Sequence, residues 1–308
     1  MAVNSATSQP TQRTRWRSGS ERIATVWLLL PIVCIFAVLT IVPLAQSLVY
    51  SFTDFNGYTS NYSFVGLQNY TEVFSDPSLL KGLSFTIVFA AASSALITLL
   101  AIPLAVIVNT KFFGSSFVRS LFFFLGVPSA AILGSVWQYL LSPLSSGVIN
   151  SILGRFGIDP VSWLADSTLA KISVILIAVW AGVGWHATLY LAYLQSIPRD
   201  LYEQASVDGA STWQQFIHIT VPQLVPAMMV SLFLLISGGL KVYELPLTLT
   251  GGGPGYATHT ITQDIVLRGI GQSDYGVGSA LAVLFSIVAF VVIMAYIGIF
   301  QKIARRFS

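Results

Sequence analysis

E-Q-A-S-V-D-G at 203–209 begins the longest polar stretch in the second half of the chain, and this stretch continues to Pro222. It lies between two apolar stretches that are each long enough to cross a bilayer. Residues 203–207 contain no Gly or Pro and favour a helix, which Asp200 can cap together with Glu203 in a capping box. Gly209 then permits a sharp turn. We therefore predict a short helix and a turn that face water and a partner.

A second helix is predicted after the turn. Trp213, Phe216 and Ile217 recur at spacings of three and four residues, which places them on one helix face. Pro222 suits the first turn of the following helix, where a missing backbone N–H costs nothing. The segment 196–222 is thus predicted to form two short helices at a membrane surface, the second with an aromatic stripe.

The composition is that of an integral membrane protein. The chain is 55% hydrophobic and only 9% charged, with a mean hydropathy of +0.77, whereas soluble domains are roughly one-quarter charged. A single Cys34 excludes a disulfide framework and a cysteine-based metal site. The pI is near 9.0, but the basic residues are too few and too dispersed to bind nucleic acid.

Six apolar segments have the length of about twenty residues that a bilayer requires. They are 24–50, 83–109, 119–141, 172–195, 223–247 and 277–300. Residues 1–23 are rich in Ser, Thr, Gln and Arg and are predicted to be a mobile tail. A cleaved signal peptide is the alternative, but the first apolar run is too long for one, so we interpret it as an uncleaved span. The predicted fold class is an all-α membrane protein, with 24–308 as its transmembrane domain.

The basic residues predict the topology. An even number of spans puts both termini on one side, and most Lys and Arg residues outside the spans or at their ends fall on that side. They are Arg13, Arg15, Arg17, Arg22, Lys111, Arg119, Arg199, Lys302, Arg305 and Arg306, against Lys81, Arg155, Lys171 and Arg268 on the other. By the positive-inside rule both termini and the loop 196–222 are cytoplasmic.

The loop 196–222 resembles the cytoplasmic "EAA" loop of binding-protein-dependent ABC importer permeases. That pattern reads E-A-A, three residues, G, nine residues, I-x-L-P; here Gln204 replaces its middle Ala and Val221 its Leu. The resemblance implies the six-span type I ABC importer permease fold, with this loop docked as a coupling helix on a separate ATPase subunit. Glu203 would be the polar anchor, Gly209 the turn and the aromatic stripe the buried contact. The implied coupling residues are Glu203, Ala205, Asp208, Gly209, Trp213, Phe216, Ile219 and Pro222.

The same resemblance implies the partners. They are a second permease subunit, two ATPase subunits and an extracytoplasmic solute-binding protein. No G-x-x-x-x-G-K-[ST] motif occurs in the chain, so ATP and Mg would be used by the ATPase subunits. No cofactor or metal is expected on this chain, and no nucleic acid.

Two outer segments are similar to the carbohydrate-uptake group, of the maltose-permease-F or glycerol-phosphate-permease-A type. F-V-G-L-Q-N-Y at 64–70 resembles F-x-G-L-x-N-Y, and K-V-Y-E at 241–244 with L-T-G-G-G-P at 249–254 resembles K-V-F-D and L-T-G-G-G-P. Lys241, Tyr243 and Glu244 are therefore candidates for the substrate pathway. Lys241 and Glu244 are predicted to share a helix face and to neutralise each other, so a purely structural role remains the alternative.

The fourth predicted span carries W-A-G-V-G-W-H at 180–186. Its W-x-G resembles the sugar-lining span of the maltose-type permease, which makes Trp180, Gly182, Trp185 and His186 pathway candidates. His186 can donate to a sugar hydroxyl or bond to a neighbouring helix, and both alternatives stay open.

The predicted function is permeation of a sugar, either a di- or oligosaccharide or a related solute such as glycerol phosphate. An enzyme is disfavoured because His186, His218 and His259 fall in different compartments of the predicted topology. A self-contained secondary transporter or channel is the alternative, but we expect ion-coupling acids or an inverted repeat in its spans. The sequence does not name the solute.

Overall fold

The computed structural model describes residues 19–59, 61–110, 113–145 and 147–304, with side chains from residue 26 to residue 302. The predicted tail 1–23 lies mostly outside these residues, as do Lys111, Arg305 and Arg306. The chain divides into two units, Met1–Val49 and Tyr50–Ser308, which are described separately.

The first unit is an apolar helix. Helix α1 (Gly19–Phe36) passes through a π-helical turn (Ala37–Ile41) into α2 (Val42–Tyr50). Pro43 has no N–H to donate to the preceding turn, and a π-turn is a usual accommodation of such a break. Residues Val26–Tyr50 are long and apolar enough to cross a membrane.

Four further helices of the second unit are long and apolar enough to cross a membrane, which gives five in the described residues. They are α4 (Pro77–Asn109), α8 (Ser167–Leu194), the continuous segment Thr212–Leu240, and Tyr275–Lys302 within α14 (Tyr275–Ala304). The segment Thr212–Leu240 comprises α10 (Thr212–Gln215), a π-turn (Phe216–Thr220) and α11 (Val221–Leu240). The largest core cluster joins α4, α8 and α11, around the fully buried Ala101, Tyr190 and Leu224.

The predicted third span 119–141 is not one helix. Helix α5 (Ser115–Phe124) and helix α6 (Ala130–Leu140) are separated at 125–129. Pro128 disfavours a helical conformation at the residue before it. Ser129 then starts α6 as its N-cap, with its hydroxyl accepting from the N–H of Ile132 at 3.4 Å. A membrane span in the sequence pattern is thus two short helices in the structure.

The predicted fifth span 223–247 also differs. Helix α11 ends at Leu240 after Gly238 and Gly239, and α12 (Glu244–Thr250) is a separate helix. The prediction that Lys241 and Glu244 share a helix face is therefore wrong, because Lys241 caps one helix and Glu244 begins the next. They form no ion pair in the described part of the chain.

Short helices make up the rest of the second unit. They are α3 (Gln68–Ser75), α7 (Val148–Gly154), α9 (Arg199–Val207) and α13 (Ile261–Val266), followed by a π-turn (Leu267–Gly271). The F-V-G-L-Q-N-Y segment has a packing role here. The buried amide of Asn69 donates to the carbonyls of Ser51 and Thr53, at 3.0 and 2.9 Å, and Tyr70 donates to the Ser51 hydroxyl at 2.8 Å.

Candidate coupling segment and substrate cavity

The polar segment between α8 and α11 forms the predicted helix and turn. Helix α9 ends at Val207, and Gly209 adopts φ +82°. The N–H of Ala210 donates to the carbonyl of Ala205 at 2.8 Å, which closes the helix end. No atom lies within 4 Å of the position that a Cβ of Gly209 would take. The backbone conformation alone therefore demands glycine.

The caps of the segment differ from the prediction. Pro198 precedes α9 without a side-chain cap, and Asp200 lies in its first turn, so the predicted box of Asp200 and Glu203 is wrong. The capping box is one helix later, where Ser211 and Gln214 bond reciprocally at 3.3 and 2.7 Å. Its S-x-x-Q pattern was readable in the sequence. Asp200 still acts favourably on the helix dipole.

The outer surface of the segment is exposed and partly apolar. Glu203, Asp208 and Gly209 are exposed, and Ala205 is half-buried. Val207 is 88% exposed and Trp213 67% exposed, which is high for large apolar side chains of a polar segment. The Trp213 ring stacks on Phe216 at 5.5 Å. Sequence reasoning missed Val207, although an apolar residue directly before an Asp-Gly turn was a usable signal.

The inner side of the segment is tied to the long helices. The hydroxyls of Tyr202 and Thr220 lie 3.0 Å apart, and Gln215 donates to the Ser206 hydroxyl at 2.9 Å. Leu201, Tyr202 and Phe216 pack against the core cluster of α4, α8 and α11. Helix α9 is therefore packed against the cluster that α4, α8 and α11 form.

The second predicted helix continues without a break into α11. Pro222 occupies the first turn of α11 as predicted, and the π-turn Phe216–Thr220 precedes it. Ile219 and Pro222 are half-buried. The aromatic stripe thus stands at the end of a helix that extends to Leu240.

A cavity of about 400 Å³ lies between α4, α6 and α8 and the segment around Val242. It brings together three of the predicted pathway residues, Gly182, Trp185 and His186. Its further lining includes Phe89, Gly126, Pro128, Ala130, Leu133, Ala178, Ala181, Val242 and Leu245. Lys241, Tyr243 and Glu244 do not line it; Lys241 and Tyr243 flank Val242, and Glu244 precedes Leu245, and both Val242 and Leu245 line it.

The two tryptophans of α8 face different neighbours. Trp185 lines the cavity and contacts His186 edge-on at 4.7 Å between ring centroids. Trp180 packs edge-on against Trp137 of α6 at 5.5 Å and is 40% exposed. A Cβ on Gly182 would lie 2.8 Å from the Ile97 Cδ1 atom, so this glycine also lets α4 and α8 approach.

His186 bonds to a neighbouring helix. Its Nδ1 atom lies 2.8 Å from the Ser231 hydroxyl of α11, and both residues are buried. His218 contacts the Gln214 carbonyl in the exposed segment, and His259 contacts Asp264 at the start of α13. The described part of the chain contains no group of His, Cys, Asp or Glu residues arranged to hold a metal ion.

The glycine-rich segment at 251–255 forms a sharp bend. Gly251, Gly252 and Gly255 have positive φ. Thr258 closes the bend, because its hydroxyl donates to the Gly253 carbonyl at 2.9 Å. Burial raises the pKa of Asp264, which follows the bend, and the hydrogen bond from His259 opposes that shift.

Asp76 and Arg268 join the start of α4 to the π-turn after α13. The hydrogen bond from the Ser78 side chain, with a further one from Arg268, lowers the pKa of Asp76 despite its partial burial. Arg268 bonds to the Asp76 carboxylate and lies 3.8 Å from that of Glu72.

Long apolar helices around a cavity, with an exposed segment tied to two of them, define a multi-pass membrane transport subunit. The family described as "Binding-protein-dependent transport system inner membrane component" matches residues 97–308. The chain belongs to this family of inner-membrane permease components.

Curated relatives match nearly the whole chain. The probable starch degradation products transport system permease protein AmyD of Thermoanaerobacterium thermosulfurigenes is 30% identical, over 90% of this chain and 94% of its own. The trehalose/maltose transport system permease protein MalF of Thermococcus litoralis is 32% identical, over 90% and 92%. The sulfoquinovosyl glycerol transport system permease protein SmoG of Agrobacterium fabrum is 31% identical, over 94% of each.

A solved structure shares the fold. A chain of the bacterial alginate ABC transporter in complex with alginate pentasaccharide-bound periplasmic protein has a TM-score of 0.81 and 24% identity. The match covers 94% of this chain and 99% of that one.

Proposed function

We propose that this chain is one of two permease subunits of an ATP-driven importer that moves a saccharide delivered by an extracytoplasmic binding protein. The observation that carries the proposal is the segment 199–220, exposed and apolar at Val207 and Trp213 yet tied through Tyr202 to the transmembrane helices. Such a surface suits a second protein, because exposed apolar patches mark interaction sites. The occupant is an ATPase subunit, as the EAA pattern implies.

The segment acts as the coupling helix. When the ATPase subunits bind ATP and close, they displace α9 and α10. The hydroxyl contact between Tyr202 and Thr220, with the surrounding packing, carries this displacement to α8 and α11. Because α8 lines the cavity at Gly182 and Trp185, its displacement opens the cavity to one side and closes it to the other. Alternating access follows from movement of these packed helices.

The topology completes the proposal. Helices α5 and α6 together supply the third of six crossings, since backbone breaks within a membrane are tolerated where protein or a cavity surrounds them. Pro128, at the break, lines the cavity. Both termini and the coupling segment then face the cytoplasm, in agreement with the positive-inside rule.

The partners are those that an importer requires. They are a second permease, two ATPase subunits that use ATP and Mg, and the binding protein; this chain holds no cofactor of its own. A saccharide substrate is supported by the names of the relatives, which refer to starch degradation products, trehalose/maltose and sulfoquinovosyl glycerol.

The cavity at Trp185 and His186 is the substrate site. Aromatic faces suit sugar rings, and a few polar groups fix orientation. Trp180 extends this aromatic wall towards Trp137. Lys241, Tyr243 and Glu244 join the pathway through their neighbours Val242 and Leu245.

The test is purification through a tag on this chain from its own cells, followed by solute uptake in liposomes. We expect ATPase subunits to co-purify and uptake of a saccharide to require both ATP and the binding protein. Uptake by the chain alone, without ATP, would contradict the proposal and support a secondary transporter.

A further inference from the structure

A second cavity, of about 280 Å³, lies where α4 and α8 begin. Two cations line it, Lys81 from α4 and Lys171 from α8. The remaining lining residues are Ser84, Phe85, Val88, Ser167, Gly255 and Ala257. Both lysines and both serines are exposed, so the cavity opens to solvent and presents two cationic and two hydroxyl side chains beside Phe85 and Val88.

The two lysines have no acidic partner among the residues that the structure describes. The nearest acids in sequence are engaged elsewhere: Asp76 caps α4 and bonds to Arg268, and Asp166 caps α8 by accepting from two backbone N–H groups at 2.9 and 2.8 Å. Asp264, which lies beside Gly82 of α4, is buried and bonds to His259 through Oδ1, while its Oδ2 atom has no hydrogen-bond partner among the described residues.

The cavity is consequently electropositive. Two exposed lysines at one cavity attract an anion, with a strength that water and salt screen. The first turns of two long helices add the positive ends of their dipoles, which favour an anion further.

The second cavity and the cavity at Trp185 are lined by the same two helices, α4 and α8. On α4, Lys81, Phe85 and Phe89 are spaced by four residues; the first two line the outer cavity and the third the inner one. On α8, Lys171 lines the outer cavity and Ala178 the inner one. At about 1.5 Å per residue, the lysines precede the inner lining by roughly 10–12 Å along both helices. Both cavities therefore lie along the seam between α4 and α8.

We propose that the outer cavity binds an anionic group of the transported saccharide, a carboxylate, sulfonate or phosphate. This rests on the proposed importer function and narrows its substrate to an acidic saccharide. Lys81 and Lys171 hold the anion with charge-assisted hydrogen bonds, and Phe85 offers an apolar face to the sugar ring. The seam shared with the inner cavity favours a saccharide over acidic side chains of the binding protein, because the lysines stand along the path that the solute follows.

The test uses the complete transporter in liposomes with its binding protein. Labelled acidic solutes are each paired with an uncharged counterpart: trigalacturonate with galactotriose, sulfoquinovose with glucose, and glycerol 3-phosphate with glycerol. The variants are Lys81→Gln with Lys171→Gln, and Lys81→Arg with Lys171→Arg, which keeps the charge. Arg155→Gln, at an exposed outer position outside the cavity, is the matched control.

We expect the native transporter to import at least one acidic solute, and the glutamine pair to lower that uptake about tenfold or more, as loss of a charge-assisted hydrogen bond predicts. The double variant Lys81→Arg with Lys171→Arg, and the control Arg155→Gln, should retain uptake of the acidic solute. Uptake of uncharged solutes alone, or acidic uptake that the glutamine pair leaves unchanged, would overturn the proposal. So would loss of ATPase stimulation by the solute-free binding protein, which would assign the lysines to protein docking. ATP-independent uptake would instead refute the importer function itself.

Discussion

Gly209 forms the turn of the proposed coupling segment 199–220. Its φ of +82° lies in the left-handed region, where a side chain costs about 1–2 kcal/mol. We expect Gly209→Ala to lower the free energy of unfolding of the purified chain by that amount. The control is Gly154→Ala, since Gly154 also stands in open space but without a positive φ. If Gly209→Ala and Gly154→Ala had the same free energy of unfolding, a side chain at residue 209 would not strain the turn, and this prediction would be wrong.

The hydrogen bond between His186, which lines the cavity at Trp185, and Ser231 joins α8 to α11. Ser231→Ala leaves a buried imidazole nitrogen unsatisfied, and we expect a loss of about 1 kcal/mol in unfolding free energy. Ser286→Ala is the control, because the Ser286 hydroxyl is exposed and bonds only to its own helix, at the Ala282 carbonyl. A loss no larger than that of the control would contradict a stabilising contact.

Individual residues were predictable where backbone chemistry or a spaced motif constrains them. Gly209 and Pro222 follow from the turn and the helix start, and the structure confirms both. The exposed position of Val207 and the contact of Ser231 with His186 were not predicted from the sequence. The exposure of Val207 and the partner of His186 depend on how distant helices pack, which local periodicity does not encode.

At the scale of elements, the hydroxyl contact between Tyr202 and Thr220 joins α9 to the start of α11. Tyr202→Phe removes this contact and keeps the ring that packs on the core. We expect little loss of stability, at most about 1 kcal/mol, and weaker stimulation of ATP hydrolysis by the loaded binding protein. Tyr193→Phe removes a more exposed hydroxyl of α8 and should leave stimulation unchanged. Equal stimulation in both variants would exclude Tyr202 from the coupling path.

The long helices were predictable as elements, and the interruptions were not. Apolar length identified α4, α8 and α14, because a bilayer selects for it. The same criterion joined α5 with α6 and extended the fifth span to 247, since apolar residues continue through both breaks. Pro128 and the pair Gly238 and Gly239 carried the signal, but a proline or glycine in an apolar run is equally compatible with a kink.

At the scale of the whole molecule, the topology is open to a direct test. Cys34, the single native cysteine, is replaced by Ser, and a new cysteine is introduced by Val207→Cys or by Arg155→Cys. In whole cells we expect an impermeant thiol reagent to label the Arg155→Cys chain, and the Val207→Cys chain only after the membrane is opened. The reverse pattern would invert the topology and contradict the positive-inside prediction.

The membrane class and the family followed from composition and from one spaced motif, and the family match at 97–308 confirms the resemblance. The cavities could not be predicted, because they depend on which faces of α4 and α8 meet. Trp180 and Trp185 illustrate this limit, since both belong to one motif but only Trp185 lines the cavity.

The most direct test of the coupling segment is cross-linking in the assembled transporter. The Val207→Cys chain, in the Cys34→Ser background, is treated with a short thiol-to-amine cross-linker, and the Arg155→Cys chain is the control. We predict an adduct between the Val207→Cys chain and an ATPase subunit, and none from the control. An assembled, active transporter that yields no such adduct, or yields it only from the control, would contradict the docking of this segment on the ATPase.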